Sequence, residues 1–164
     1  MNQQLQFKIL PSAHDGSFQQ AFRAYFAEIG IHLKADTDVW DEIDASFRKE
    51  QTTCVTLTEG SQVVGFIMMQ PHCLTDSMNF FTQKLGFIRE LWVAPDHRRQ
   101  GLGCRLVQYA EQFFREQGIC KAILTYEPTA IRFYENLGFQ ADPSYSARNG
   151  ENVITKVILE EKKP

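Results

Sequence analysis

A chain of 164 residues, 43% of them hydrophobic, has the size and composition of one soluble domain that buries a core without disulfide or metal staples. The formal net charge of -3 argues against a general nucleic-acid binder, whose Lys and Arg must neutralise phosphates. No apolar run reaches membrane-spanning length, and the start MNQQLQFKIL has neither a basic n-region nor a long apolar h-region, so a cytosolic protein without a membrane partner is expected.

Residues 5–10 read as a first strand, and 12–31 largely as an amphipathic helix with Phe18, Ala21, Phe22, Tyr25 and Phe26 at helical spacing. Asp38 or Thr37 caps a second helix to about Lys49, with Trp40, Ile43 and Phe47 facing in. Asp36, Asp38, Asp41, Glu42 and Asp44 crowd this start. They form either a cation-attracting rim for an amine or a capped, solvated helix face favoured by the dipole. Residues 52–58 and 62–70 read as a hairpin around Glu59-Gly60-Ser61, and 71–84 as a loop or short helix carrying His72, Phe80 and Phe81. The cysteines at 54, 73, 104 and 120 are too scattered for a CxxC pair and default to free thiols, so no metal is implied.

The most informative stretch is 87–118. A strand over 87–93 is stopped by Ala94-Pro95-Asp96, since proline offers no amide and biases its predecessor toward extended backbone. The loop Arg98-Arg99-Gln100-Gly101-Leu102-Gly103 leads into a helix. Leu102, Leu106, Val107, Ala110, Phe113 and Phe114 fall on one side; Gln108, Glu111, Gln112, Arg115 and Glu116 fall mainly on the other, and Gly118 marks the end. Strand, glycine loop and helix start in this order make an anion site for a phosphate or pyrophosphate. The first helix amides lack acceptors, the macrodipole adds partial positive charge, and Arg98 and Arg99 add full charges. The Walker pattern fails because Cys104-Arg105 stands where Lys and Ser or Thr are needed, and the dinucleotide fingerprint fails because its third glycine is Leu106. Further on, 122–126 reads as a strand, 138–145 and 153–160 as two last strands, and Asn149-Gly150 as a turn between them.

Arg98-x-x-Gly101-x-Gly103 directly after LWVAP resembles the acyl-CoA pyrophosphate loop of the GNAT superfamily of N-acyltransferases. The segment Ala130-x-x-Phe133-Tyr134-x-x-x-Gly138-Phe139 resembles that superfamily's second signature helix. The resemblance implies a single domain over 1–164 with an α/β fold: a mixed sheet with splayed central strands in the order β, α, α, three strands, α, β, α, two strands. It also implies acetyl-CoA as co-substrate and transfer of an acetyl group to a primary amine of a small molecule or peptide. By the same resemblance the pantetheine arm pairs with the backbone of Leu91-Trp92-Val93. The loop Arg98, Arg99, Gln100, Gly101, Leu102, Gly103 and Cys104 cradles the pyrophosphate. Cys104, in the first helical turn, is either a reactive thiol or a small residue that lets the cofactor approach. Where many relatives carry an Asn that bonds pantetheine, this chain has Glu127, which could accept from a pantetheine amide or reach the amine as a second base but cannot donate when ionised.

The implied chemistry needs a base for a protonated amine, donors for an oxyanion and a proton for the departing thiolate. Arg89 and Glu90 interrupt an apolar strand and, being adjacent, point to opposite faces, so at least one should meet a polar cavity. Glu90 is the candidate base, with desolvation raising its pKa toward a useful range; the alternative is a structural ion pair. Tyr134 is the candidate acid, with core packing beside Ala130, Phe133 and Leu137 as the alternative. A noncatalytic acyl-CoA-binding module and a protein acetyltransferase stay open, as does a homodimer, by analogy alone.

Overall fold

Alternating residues make Leu5–Ile9 a strand, β1, and Asp15 then opens helix α1, Gly16–Glu28. The Asp15 carboxylate accepts from the Phe18 amide at 2.8 Å, supplying one of the helix-start donors with the partner it lacks inside the helix. Helix α2, Thr37–Glu50, already contains Thr37 and Asp38, which were expected to cap it, so the cap position precedes them and lies outside the described residues. Strands β2, Thr53–Glu59, and β3, Gln62–Thr75, form the expected hairpin; its two-residue turn needs the left-handed backbone that Gly60 adopts at φ +62°. The structure, a computed structural model, describes residues 4–33, 37–75, 82–145 and 153–160.

One expectation is corrected at this point. Residues 71–84 are not a loop or short helix where they are described: β3 runs on to Thr75 and β4, Thr82–Val93, begins well before the apolar stretch that suggested it. Pro71 lacks a ladder donor and so erases the strand signal in the sequence, yet a strand accepts proline wherever that donor is not required. His72 therefore belongs to β3, while Phe80 and Phe81 lie outside the described residues.

After β4, a 3-10 turn at Pro95–His97 precedes helix α3, Leu102–Glu116, which closes with the Gly118 amide on the Arg115 carbonyl and the Ile119 amide on that of Phe114. Strand β5, Lys121–Thr125, a 3-10 turn at Pro128–Ala130 and helix α4, Ile131–Asn136, follow. Pro128 opens that turn, where its missing amide costs nothing. Strands β6, Gln140–Ala141, and β7, Val153–Val157, end the described chain; the Asn149-Gly150 turn lies outside the described residues. The strands form one mixed sheet in the order β1-β2-β3-β4-β5-β7-β6, and this is the expected α/β fold and element order. Strands β4 and β5 pair in parallel, joining Gly86 to Ala122 and Phe87 to Ile123.

The chain divides into two compact units, Met1–Met69 with Glu90–Val107, and Gln70–Arg89 with Gln108–Pro164. The first has a core of Ala13, Phe18, Phe22, Trp40, Phe66, Met68 and Trp92, in which full burial of a side chain such as Phe18 contributes about 1.5–3 kcal/mol. Cys54 lies in the same core at 2% exposure, and burial pushes its thiol pKa up to about 12. The second unit buries Leu85, Ile88, Phe114, Leu124, Phe139 and Ile154. Here Glu111, expected on the solvent side of α3, is instead buried. Lys156 of β7 places its ammonium 2.5 Å from Glu111 Oε1, and Arg115 adds a second cation at 3.9 Å.

Candidate active site

Within the first unit, the end of β4, the 3-10 turn and the start of α3 bring together most of the predicted residues. Strand alternation turns Trp92 into the core at 6% exposure and leaves Leu91 and Val93 half-buried, so Trp92 has only its backbone to offer a ligand. Its indole Nε1 donates to Glu28 Oε1 at 2.8 Å from the end of α1. Arg98 donates from Nε to the Val93 carbonyl at 2.9 Å, and its terminal nitrogen reaches both Glu28 oxygens at 2.8 and 2.7 Å. Burial pushes the Glu28 pKa up, but the hydrogen bonds from Arg98 and Trp92 and the Arg98 charge outweigh it, and the carboxyl lies below its ordinary value. The Arg98 charge is thus compensated, and its side chain clasps strand, loop and helix α1.

Arg99 and Gln100 are exposed, and Arg99 adopts φ +63°, unusual for a residue with a side chain. Gly101 follows at φ +78°, with nothing within 4 Å of where a Cβ would stand, so only glycine takes this backbone without strain and the space beside it is open. The Gly101 carbonyl accepts the first α-helical bond, from Arg105, at 3.1 Å. Leu102 is buried at 3% and anchors the helix start, while Gly103 and Cys104 are half-buried. This loop fits a pyrophosphate: open glycine backbone, the unpaired amides of a 15-residue helix, and an exposed Arg99 beside them.

Glu90 is half-buried in β4, and its Oε2 accepts from the hydroxyl of Tyr25 on α1. The Tyr25 ring lies 5.0 Å from Phe26, 5.8 Å from Phe66 and 6.4 Å from Phe22. The sequence marks Tyr25 as one more residue on the apolar side of a helix; nothing in its spacing tells that its hydroxyl meets a carboxylate 65 positions away.

The acidic cluster separates into roles. Asp41 lies 2.6 Å from His14 Nε2, and Asp44 accepts from the Ser12 hydroxyl and the Ala13 amide, both at 2.7 Å. These two acids fasten α2 to the entry of α1, a role that neither alternative names, and Asp36 lies outside the described residues. A cavity of about 530 Å3 beside them is lined by Ser12, Asp44, Phe47, Arg48 and Cys54 among others, and by none of the predicted site residues.

Within the second unit, Tyr134 is half-buried on α4, with its ring 5.0 Å from Phe133 and 5.7 Å from Phe139. Glu127 is exposed and stands at the N-cap of the 3-10 turn without a side-chain capping bond.

These features define a chain with the fold of a coenzyme A-dependent acyltransferase. Residues 17–139 match the Acetyltransferase (GNAT) family, and the chain belongs to that family. It is 32% identical over 114 residues to human N-acetyltransferase 8, a match covering 67% of this chain and 48% of that protein. The chain spans about half the length of the curated relatives it matches. Among solved structures, an acetyltransferase of Trypanosoma brucei shares the fold with a TM-score of 0.69 at 20% identity, over 88% of this chain and 98% of that one. The PaiA N-acetyltransferase of Thermoplasma acidophilum, solved in complex with coenzyme A, has a TM-score of 0.67 at 15% identity, over 94% and 99%. No described helix is long and apolar enough to cross a membrane.

Proposed function

We propose that residues 1–164 act as one acyl-CoA-dependent N-acetyltransferase domain, moving an acetyl group from acetyl-CoA to a primary amine of a small molecule or peptide within a ternary complex. The observation that carries this reading is the loop at Arg99 to Gly103, whose left-handed Arg99 and Gly101 and open glycine backbone stand at the start of α3 in a chain of this family. Acetyl-CoA would supply the activated thioester. The loop and first amides of α3 hold its pyrophosphate, Arg99 adds the free charge, and Arg98 keeps the loop in shape through Glu28. The backbone of Leu91 and Val93, on the part of β4 past its pairing with β5 at Gly86 and Phe87, serves the pantetheine arm as a further strand would.

Glu90 takes the proton that the amine sheds as its nitrogen bonds to the acetyl carbon, and Tyr134 gives a proton to the sulfur as the carbon–sulfur bond breaks. Holding the amine and the thioester together supplies much of the remaining barrier reduction.

The test is thermal stabilisation by coenzyme A together with free-thiol release from acetyl-CoA against polyamines, aminoglycosides, amino acids and basic peptides. Saturation at a hundred times the dissociation constant should stabilise the fold by about 2.7 kcal/mol, and one amine class should drive thiol release. Stabilisation without turnover by any amine would favour the noncatalytic binding module. An unchanged midpoint at millimolar coenzyme A would reject the cofactor site.

A further inference from the structure

We propose that Tyr25 is the positioning residue for Glu90: its phenol, held by the aromatic side of α1, fixes the carboxylate in the orientation and charge state that proton removal from the amine requires. This rests on the reading of Glu90 as the base. The carboxylate stands in an apolar strand, where a charged group needs a strong donor to offset lost water. Tyr25 supplies one to Oε2 without bringing a charge. A cation at the same place would pull proton affinity down much further and leave a poor base.

The donor is itself immobilised. Tyr25 follows Phe18, Ala21 and Phe22 along the buried side of α1, and its half-buried ring packs against Phe22, Phe26 and Phe66, so moving the hydroxyl away disturbs that packing. Glu28, one turn further along α1, is bound to Arg98 and Trp92, and Arg98 is bound in return to Glu28 and Val93. Arg89 precedes Glu90 on the strand and so points to its other face.

The experiment uses the full chain with carbon-13 at the side-chain carboxyls of glutamate, the Glu90 resonance being assigned by its loss in Glu90→Gln. Tyr25→Phe keeps the ring and removes only the hydroxyl. Because a hydrogen bond to the ionised form lowers a carboxyl pKa, its removal should raise the Glu90 titration midpoint, while the thermal midpoint and coenzyme A binding stay close to those of the parent. An unmoved Glu90 midpoint overturns the proposal and needs no acceptor.

The kinetic arm uses the amine that turns over fastest in the panel above. Tyr25→Phe should lower kcat roughly 10- to 100-fold with little change in the KM for acetyl-CoA, and should cost almost nothing further in a Glu90→Gln background. Equal losses in both backgrounds would mean that Tyr25 does not act through Glu90 and would overturn this proposal alone. A Glu90→Gln enzyme as fast as the parent would overturn the base reading itself, and Tyr25 with it.

Discussion

Tyr134 offers a single hydroxyl on a ring already engaged by Phe133 and Phe139, so packing and chemistry can be separated by one atom. Tyr134→Phe keeps both ring contacts. If the hydroxyl protonates the departing thiolate, kcat should fall by about 10²-fold or more while the melting midpoint moves little; unchanged turnover would reduce Tyr134 to a packing residue. Other site residues divide in the same way between contact and support. Arg98, placed by its motif beside the pyrophosphate, spends its guanidinium on Glu28 and the Val93 carbonyl, whereas Arg99 remains exposed. The motif places Arg98 in the loop but carries no sign of Glu28, 70 positions earlier.

At the level of elements, α3 lies against β4 through Phe114. A Cβ on Gly86 would stand 2.4 Å from Phe114 Cδ2, well inside any contact that carbon atoms tolerate. Gly86→Ala should therefore destabilise the fold by about 1–3 kcal/mol in urea unfolding, and Phe114→Leu in the same chain should return part of that loss by opening room. A Gly86→Ala chain as stable as the parent would show that the ring moves aside freely. Much of this layer was legible in the sequence. The period of α3, the stop at Pro95 and the glycines at 101 and 118 locate the loop and helix within a residue or two because they are local signals. The long β3 and β4 were not legible across 71–75 and 82–84, because Pro71 and polar neighbours hide a strand that is made by pairing. Glu111 was misplaced for a related reason: helical periodicity sees a polar residue but not Lys156, which follows it by two strands and is brought to it only by the fold.

Across the molecule, acid stability should depend on Asp142, which joins three strands of the second unit. It accepts from Thr155 of β7 at 2.9 Å and from the Ser144 amide at 3.0 Å, and lies 3.5 Å from Lys121 of β5. Burial raises its pKa, but these hydrogen bonds, a further one from the Ser144 side chain and the Lys121 charge outweigh it, so the folded value lies below the ordinary one. Folding thus favours the ionised form. Its stabilisation is complete above the ordinary aspartate value near ~4 and is lost as pH falls through the lower native value. Asp142→Asn should lower the urea midpoint at neutral pH, with the gap to the parent narrowing below pH ~4; a gap that stays constant into acid would exclude this linkage.

Buried Cys54 has a consequence for how such experiments are read. With its thiol pKa raised to about 12 by burial, almost none of it is thiolate at neutral pH, and the folded first unit hides it from reagent. Cys104 and Cys120 are half-buried, so a colorimetric disulfide reagent has surface access to them that it lacks to Cys54. Cys54 therefore serves as a built-in clock: its slow appearance in the thiol count, under conditions where the protein is overwhelmingly native, times how often the first unit opens.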